Sequence, residues 1–159
     1  MSLKNLQFAI GTHVAAMLAD LYGENATSSQ IAASVNAEPT FVRRTIAKLA
    51  KAGLVTTTRG ASGACTLARA PDRITLLDVY RAVEAPPAAS QHAYPVQEAC
   101  PISRAIQPCM ADMLDEAQAA FERALSQRTL ADLLGAMREQ QGFSAGMRMQ
   151  PDRAAASRT

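Results

Sequence analysis

Between Pro39 and Ala52 the chain carries four cations, Arg43, Arg44, Lys48 and Lys51, interleaved with the apolar residues Val42, Ile46 and Leu49. With about 100° per helical residue and Arg43 set near zero, Thr40, Ala47, Lys51, Arg44 and Lys48 fall at about 60°, 40°, 80°, 100° and 140°. Val42, Ile46 and Leu49 fall at about 260°, 300° and 240° on the same wheel. One face is thus apolar and the other cationic, with a short hydroxyl and a methyl between the cations. Arg and Lys on such a face can reach phosphates or guanine edges, while Thr40 and Ala47 let the backbone approach a groove. A solvated amphipathic helix has the same pattern, so the neighbouring segments decide between the two readings.

Those neighbours favour nucleic acid. A short helix over about 28–35, capped by Thr27 or Ser28, comes just before, and Asn36-Ala37 makes a turn. Pro39 then opens the basic helix and Gly53 closes it. A β-hairpin follows, with strands at Leu54 to Thr58 and Cys65 to Ala68 around a tight turn at Gly60 to Gly63. Together these make a helix-turn-helix with a wing, and Arg59 at the wing tip can enter a minor groove.

The cysteines are the second chemical signal. Cys100 precedes Pro101 at a helix start, where the N-terminal dipole favours a reactive thiolate, and Cys109 follows nine residues later. A thiol switch through Cys100, paired with Cys109 or with a partner's cysteine, stands beside the alternative that Cys109 is a small buried hydrophobe and Cys100 an incidental surface thiol. On one unbroken helix the two would lie about 180° apart, so an intrachain disulfide needs a break at Pro108. Cys65 is expected to pack against the hairpin, and His13, near the first helix's apolar stripe, to be a satisfied buried histidine.

The remaining elements frame these groups. A first helix over about 3–21 carries Leu6, Ile10, Val14, Leu18 and Leu21 on one stripe. After the wing, Thr75 caps a helix containing Leu76, Leu77, Val79, Tyr80 and Val83. Residues 85–99 are rich in Pro and Ala and read as a loop. A long helix follows over about 102–126, with an apolar seam of Met110, Met113, Leu114, Ala117, Phe121 and Leu125 that suits a dimer core. Thr129 starts a last helix with Leu130, Leu133, Leu134 and Met137.

Of the 159 residues, 48% are hydrophobic, 19% charged and 4% aromatic, with no Trp, so an aliphatic, mainly helical fold is expected. The net charge of +2 says little, but its distribution is uneven. From Ala37 to Arg69 six basic residues face one acid, Glu38, whereas from Glu98 to Glu139 seven acids face four Arg. A local basic face of this kind suits a DNA-reading module attached to something else. No apolar run matches a membrane span and the N-terminus has no signal-peptide layout, so a soluble cytoplasmic protein is expected, its three cysteines serving as free thiols, redox groups or metal ligands rather than a disulfide framework. No nucleophile–base pair, phosphate-binding glycine loop or metal motif is visible, and no enzyme activity is expected.

The stretch FVRRTIAKLAKAGLVTTTRGASGACTLARAPDRITLLDVYRAVE (41–84) resembles the bacterial Rrf-two-type regulators, the group of IscR, NsrR and CymR. The likeness rests on Lys51-Ala52-Gly53-Leu54-Val55, the wing Arg59-Gly60-Ala61-Ser62-Gly63, Leu67-Ala68-Arg69, the run Ile74 to Glu84, and the later TLADLL at 129–134. It implies a homodimer bridged by the long helix, binding a palindromic operator in double-stranded DNA, often as a repressor. It places Thr40, Arg43, Arg44 and Lys48 at the major groove and Arg59 at the minor groove, with Lys51 on the same face and Ser28 and Gln30 near phosphates. The chain departs from the pattern at Ala64 and Cys65, where a glycine and an aromatic residue are usual. Cluster-binding members carry three closely spaced cysteines where this chain has only Cys100 and Cys109. An iron–sulfur cluster would then need His92, Glu98 or His13 as ligands, and no cofactor is expected.

The expected architecture is mainly α with a small β-hairpin: a winged helix-turn-helix domain at 1–84, a linker or sensor segment at 85–108, dimerisation helices at 109–140 and a tail at 141–159. The alternatives to a thiol-controlled regulator are a cluster-sensing regulator and a winged module that contacts proteins without binding DNA.

Overall fold

The computed structural model describes residues 6–58, 63–88 and 94–141. Its elements in chain order are α1 (Leu6–Asp20), β1 (Ala26–Thr27), α2 (Ser28–Val35), α3 (Pro39–Lys51), β2 (Val55–Thr57), β3 (Ala64–Leu67), a 3-10 turn at Pro71–Arg73, α4 (Leu76–Ala82), α5 (Pro101–Ser126) and α6 (Leu130–Gln141). The fold is mainly helical with a small antiparallel sheet and one long helix, as the sequence leads one to expect.

Local chemistry sets most of the boundaries. Thr27 caps α2 through a reciprocal pair: its Oγ1 accepts from Gln30 N, and the Gln30 side chain accepts from Thr27 N. Asn36, at φ 52°, ends that helix in the left-handed region that asparagine tolerates. Pro39 sits in the first turn of α3, where its missing N–H costs nothing. Thr75 with Asp78, and Thr129 with Asp132, repeat the reciprocal cap at α4 and α6.

The sheet has the order β1-β3-β2, one strand more than a hairpin. β1 pairs with β3 through Ala26↔Cys65 and Thr27↔Ala64, and so seats the start of α2 on the wing. β2 pairs with β3 from Val55↔Leu67 to Thr57↔Cys65. Two residues of strand carry no alternation to detect, and β1 exists only because β3 offers it an edge.

The core gathers Val14 and Leu18 of α1, Ile31 of α2, Val42 and Leu49 of α3, and Ile74, Val79 and Val83 around α4. Leu130 and Leu134 of α6 complete it, at 0% and 5% exposure. Burying a leucine contributes about 1.5–3 kcal/mol, so α6 is held by the winged unit. The main chain agrees: Leu130 N donates to Ile74 O (2.9 Å) and Leu76 N to Arg128 O (2.8 Å). α6 thus returns to pack beside α1 and the turn at Pro71. The helix α5 starts at Pro101, close to the expected 102, so the segment set aside as linker or sensor at 85–108 includes its first turns.

Two further expectations change, at His13 and along the α1 stripe. The break at Pro108 that an intrachain disulfide would need is not there, since α5 runs on through it. Proline removes one main-chain hydrogen bond and crowds the carbonyl four residues earlier, but Arg104 and Pro108 are both exposed, so water can satisfy that carbonyl. His13 is exposed rather than buried, its Nε2 lying 3.2 Å from Ser34 Oγ on the α1–α2 surface. The α1 stripe is buried at Ile10, Val14 and Leu18, while Leu6 is 45% exposed and Leu21 half-buried. Gly60 to Ser62 of the wing turn, Arg59, His92 and the tail from 142 lie outside the described residues.

Candidate nucleic-acid interface

The helix α3 is amphipathic as its sequence dictates. Val42, Thr45, Ile46 and Leu49 are buried, whereas Thr40, Arg43, Arg44, Ala47 and Lys51 are exposed. Thr45, the one buried polar residue of this face, turns its hydroxyl to Phe41 O (3.0 Å) and so carries no unmet donor into the core. The turn Asn36-Ala37-Glu38 fixes the angle between α2 and α3, since Asn36 N reaches Ala33 O and Ala37 N reaches Ala32 O.

Glu38 plays a part that its charge alone did not reveal. Its Oε2 accepts from Thr40 N (2.7 Å) and Phe41 N (3.2 Å), capping α3, and its Oε1 accepts from Thr40 Oγ1 (3.3 Å). A carboxylate thus satisfies the free N–H groups at the start of the basic helix and meets the positive end of its dipole. The visible signal was a residue that can cap standing directly before Pro39.

Of the cations on this helix, Arg43, Arg44 and Lys51 are exposed. Lys48 differs: its Nζ donates to Val83 O (3.2 Å) and pairs with Glu84 Oε2 (2.9 Å), with the lysine side chain 33% exposed. Ser28 is half-buried at the first position of α2, and a Cβ at Gly63 of the wing base would come within 3.6 Å of its Oγ. Gln30 is exposed, and its Oε1 is held by Thr27 N (2.8 Å) and Thr27 Oγ1 (3.1 Å), which leaves its amide hydrogens for an outside acceptor. Arg59 falls outside the described residues.

The residues assigned to one seam on α5 divide between two surroundings. Phe121 packs edge-on against Tyr80 at 5.5 Å, and Gln118 Nε2 donates to Tyr80 Oη (3.2 Å). Leu114, Phe121 and Leu125 are half-buried, whereas Met110 and Met113 are 39% and 65% exposed and Ala117 is exposed. Ile102 and Ile106, at 72% and 40% exposure, continue that open stripe toward the N-terminus of α5. The helix buries no residue fully within the chain.

The thiols do not converge. Cys65 is buried in β3, its Sγ donating to Gly63 O (3.3 Å), and burial pushes its thiol pKa up, as for an inert packing cysteine. Cys100 is half-buried at the N-cap position of α5 and makes no side-chain cap bond, while Cys109 is exposed on the same helix. Nine residues of helix separate these two by about 13 Å along the axis. A disulfide needs Cα atoms within about 7 Å, so the unbroken helix rules out a Cys100–Cys109 bridge in this conformation. Among the described residues no group of three or more His, Cys, Asp or Glu side chains is placed to hold a metal ion. The described thiols therefore do not fit an iron–sulfur cluster within one chain. No described helix is long and apolar enough to cross a membrane.

A turn-linked helix pair with a cationic exposed face, backed by a β-ribbon, defines a winged helix-turn-helix protein. The comparisons with known proteins agree. The family model described as "Rrf2: Iron-dependent Transcriptional regulator" matches residues 5–136, and the chain belongs to the Rrf2 family of transcriptional regulators. It is 33% identical over 134 residues to YwnA of Bacillus subtilis (strain 168), which bears the name of an HTH-type transcriptional regulator; the match spans 82% of this chain and 96% of YwnA. The structure is similar to T. potens IscR (26% identity, TM-score 0.64, 92% of this chain and 93% of that one). It is also similar to CymR, the global cysteine regulator of B. subtilis (26% identity, TM-score 0.62, 86% and 96%).

Proposed function

We propose that this transcriptional regulator works as a homodimer that sets α3 of each protomer into successive major grooves of a palindromic operator and acts as a repressor. Thr40, Arg43, Arg44 and Lys51 form the reading face, Ser28 and Gln30 lie near phosphates at the start of α2, and Arg59 on the wing reaches the minor groove. The observation that carries this reading is the exposed cationic face of α3, set opposite a fully buried one on a helix capped by Glu38. Dimerisation is supported by α5, whose open stripe of Ile102, Ile106, Met110 and Met113 is too apolar for a face meant for water. Control by thiol redox state is assigned to Cys100, uncapped at the start of that helix, acting with a cysteine of the partner subunit.

The test is DNA binding by the double variant R43A/R44A over a range of salt. Both side chains are exposed, so folding should be unaffected. Affinity should fall, and the slope of log K against log salt should shrink by about 0.9 for each phosphate contact removed. Wild-type affinity and slope in the variant would remove α3 as the reading face. A winged module that contacts only proteins predicts that outcome.

A further inference from the structure

One cation of the α3 face is already occupied. The Lys48 ammonium bridges the carbonyl of Val83 and the carboxylate of Glu84, at 3.2 and 2.9 Å, 35 and 36 residues further along the sequence. Glu84 stands just past the end of α4 at φ 55°, a left-handed position where glycine is the unstrained residue. The chain therefore holds a carboxylate where backbone geometry favours no side chain at all. The surroundings fix it there: Glu84 N donates to Arg81 O (3.0 Å), and Gln7, with its amide oriented to pair donors with acceptors, donates to Val83 O (3.2 Å) and Glu84 O (3.3 Å). The Glu84 carboxyl sits below its ordinary pKa, first through the hydrogen bond from Lys48 and then through that lysine's charge, with a smaller pull from Lys51. The carboxylate is itself 68% exposed, so it competes with solvent and with any anion that approaches α3.

We propose that Glu84 withholds Lys48 from DNA phosphate, making this pair an affinity-setting element of the interface rather than a contact to it. The proposal rests on α3 being the DNA-reading helix. A carboxylate and a phosphate oxygen ask the same of an ammonium, so the lysine can serve DNA only by leaving Glu84. In the resting arrangement Lys48 adds nothing to counterion release.

The test is a salt titration of the full-length protein with a mixed-sequence DNA duplex, comparing wild type, E84Q, K48M and the double variant. Freeing Lys48 in E84Q should steepen the slope of log K against log salt by about 0.9 per protomer bound, so that a fourfold drop in salt raises affinity by an extra factor of about 3.5. K48M alone should keep the wild-type slope, and E84Q/K48M should return to it. Three results overturn the proposal: K48M alone flattens the slope, E84Q leaves it unchanged, or the E84Q gain persists in the K48M background. The last would mean that removing a negative charge acts on the field at large. If thermal unfolding shows E84Q to be misfolded, Glu84→Gly carries the same test, because it relieves the left-handed backbone. R43A/R44A measured alongside separates the two failures. Unchanged binding there removes the α3 interface and this inference with it, whereas weakened binding there with an unchanged E84Q slope removes the inference alone.

Discussion

Gly11 of α1 and Val83, the C-cap residue of α4, touch so closely that a Cβ on Gly11 would lie 2.5 Å from Val83 Cγ1. Val83 is 1% exposed, and its branched side chain has little freedom to turn aside. The contact fixes how α1 crosses α4, and it is Val83 whose carbonyl accepts from Lys48 of α3.

Gly11→Ala should therefore destabilise the fold. Alanine gains about 1 kcal/mol of helix propensity over glycine. Overpacking at a site this tight costs about 1–3 kcal/mol, and the stiff valine places it toward the upper end. Urea unfolding should show a lower midpoint with an unchanged m-value. A higher midpoint would mean that Val83 yields and the contact fixes nothing.

The open stripe on α5 should be an interface between protomers. Met113→Glu combined with Ile106→Glu places charge on residues that are 65% and 40% exposed in the single chain, so each protomer should stay folded. A charge left unpaired in a buried interface costs about 3–5 kcal/mol, enough to shift a dimer strongly toward monomer. Sedimentation velocity should report the smaller species with an unchanged far-UV spectrum. A variant that stays dimeric moves the interface elsewhere.

Acid should loosen α6. Asp132 accepts from Thr129 N (2.8 Å) and Thr129 Oγ1 (2.9 Å), and these bonds, the main-chain one first, hold its carboxyl below the ordinary aspartate value. A folded-state value below the unfolded one gives stability that is present above the unfolded pKa, about 3.9, and is lost as pH falls through the lowered one. Asp132→Asn should be less stable than wild type at neutral pH, and its stability should decline less on acidification. Parallel pH profiles for the two proteins would show that the cap has no such role.

Mild oxidation should not join Cys100 to Cys109 within a chain, given the uninterrupted helix between them. Non-reducing electrophoresis with peptide mapping should find disulfides between protomers, absent in Cys100→Ser. An intrachain Cys100–Cys109 peptide would show instead that the first turns of α5 unwind, with Pro108 as the obvious hinge.

What sequence alone determined here is mostly local. The polarity of α3 follows from spacing within thirteen residues, and Thr27, Asn36, Pro39, Thr75 and Thr129 mark helix ends because each acts on main-chain groups two to four residues away. The cap by Glu38 is just as local, needing only the helix that follows, but the structure had to show it because the sequence presented Glu38 as a lone acid. The winged pattern around 41–84 was legible for the same reason: it is a run of neighbouring elements.

Tertiary structure decided the rest. Periodicity shows that a helix has an apolar side but not what covers it, and only the fold shows that α6 completes the core beside α1. The seam on α5 separated once Tyr80 claimed Phe121 and left Met110 and Met113 open. The strand β1 needed the edge of β3, and Lys48 lost its freedom to a carboxylate 36 positions further along the chain. Each of these depends on a contact between distant segments, and no window of sequence contains both partners.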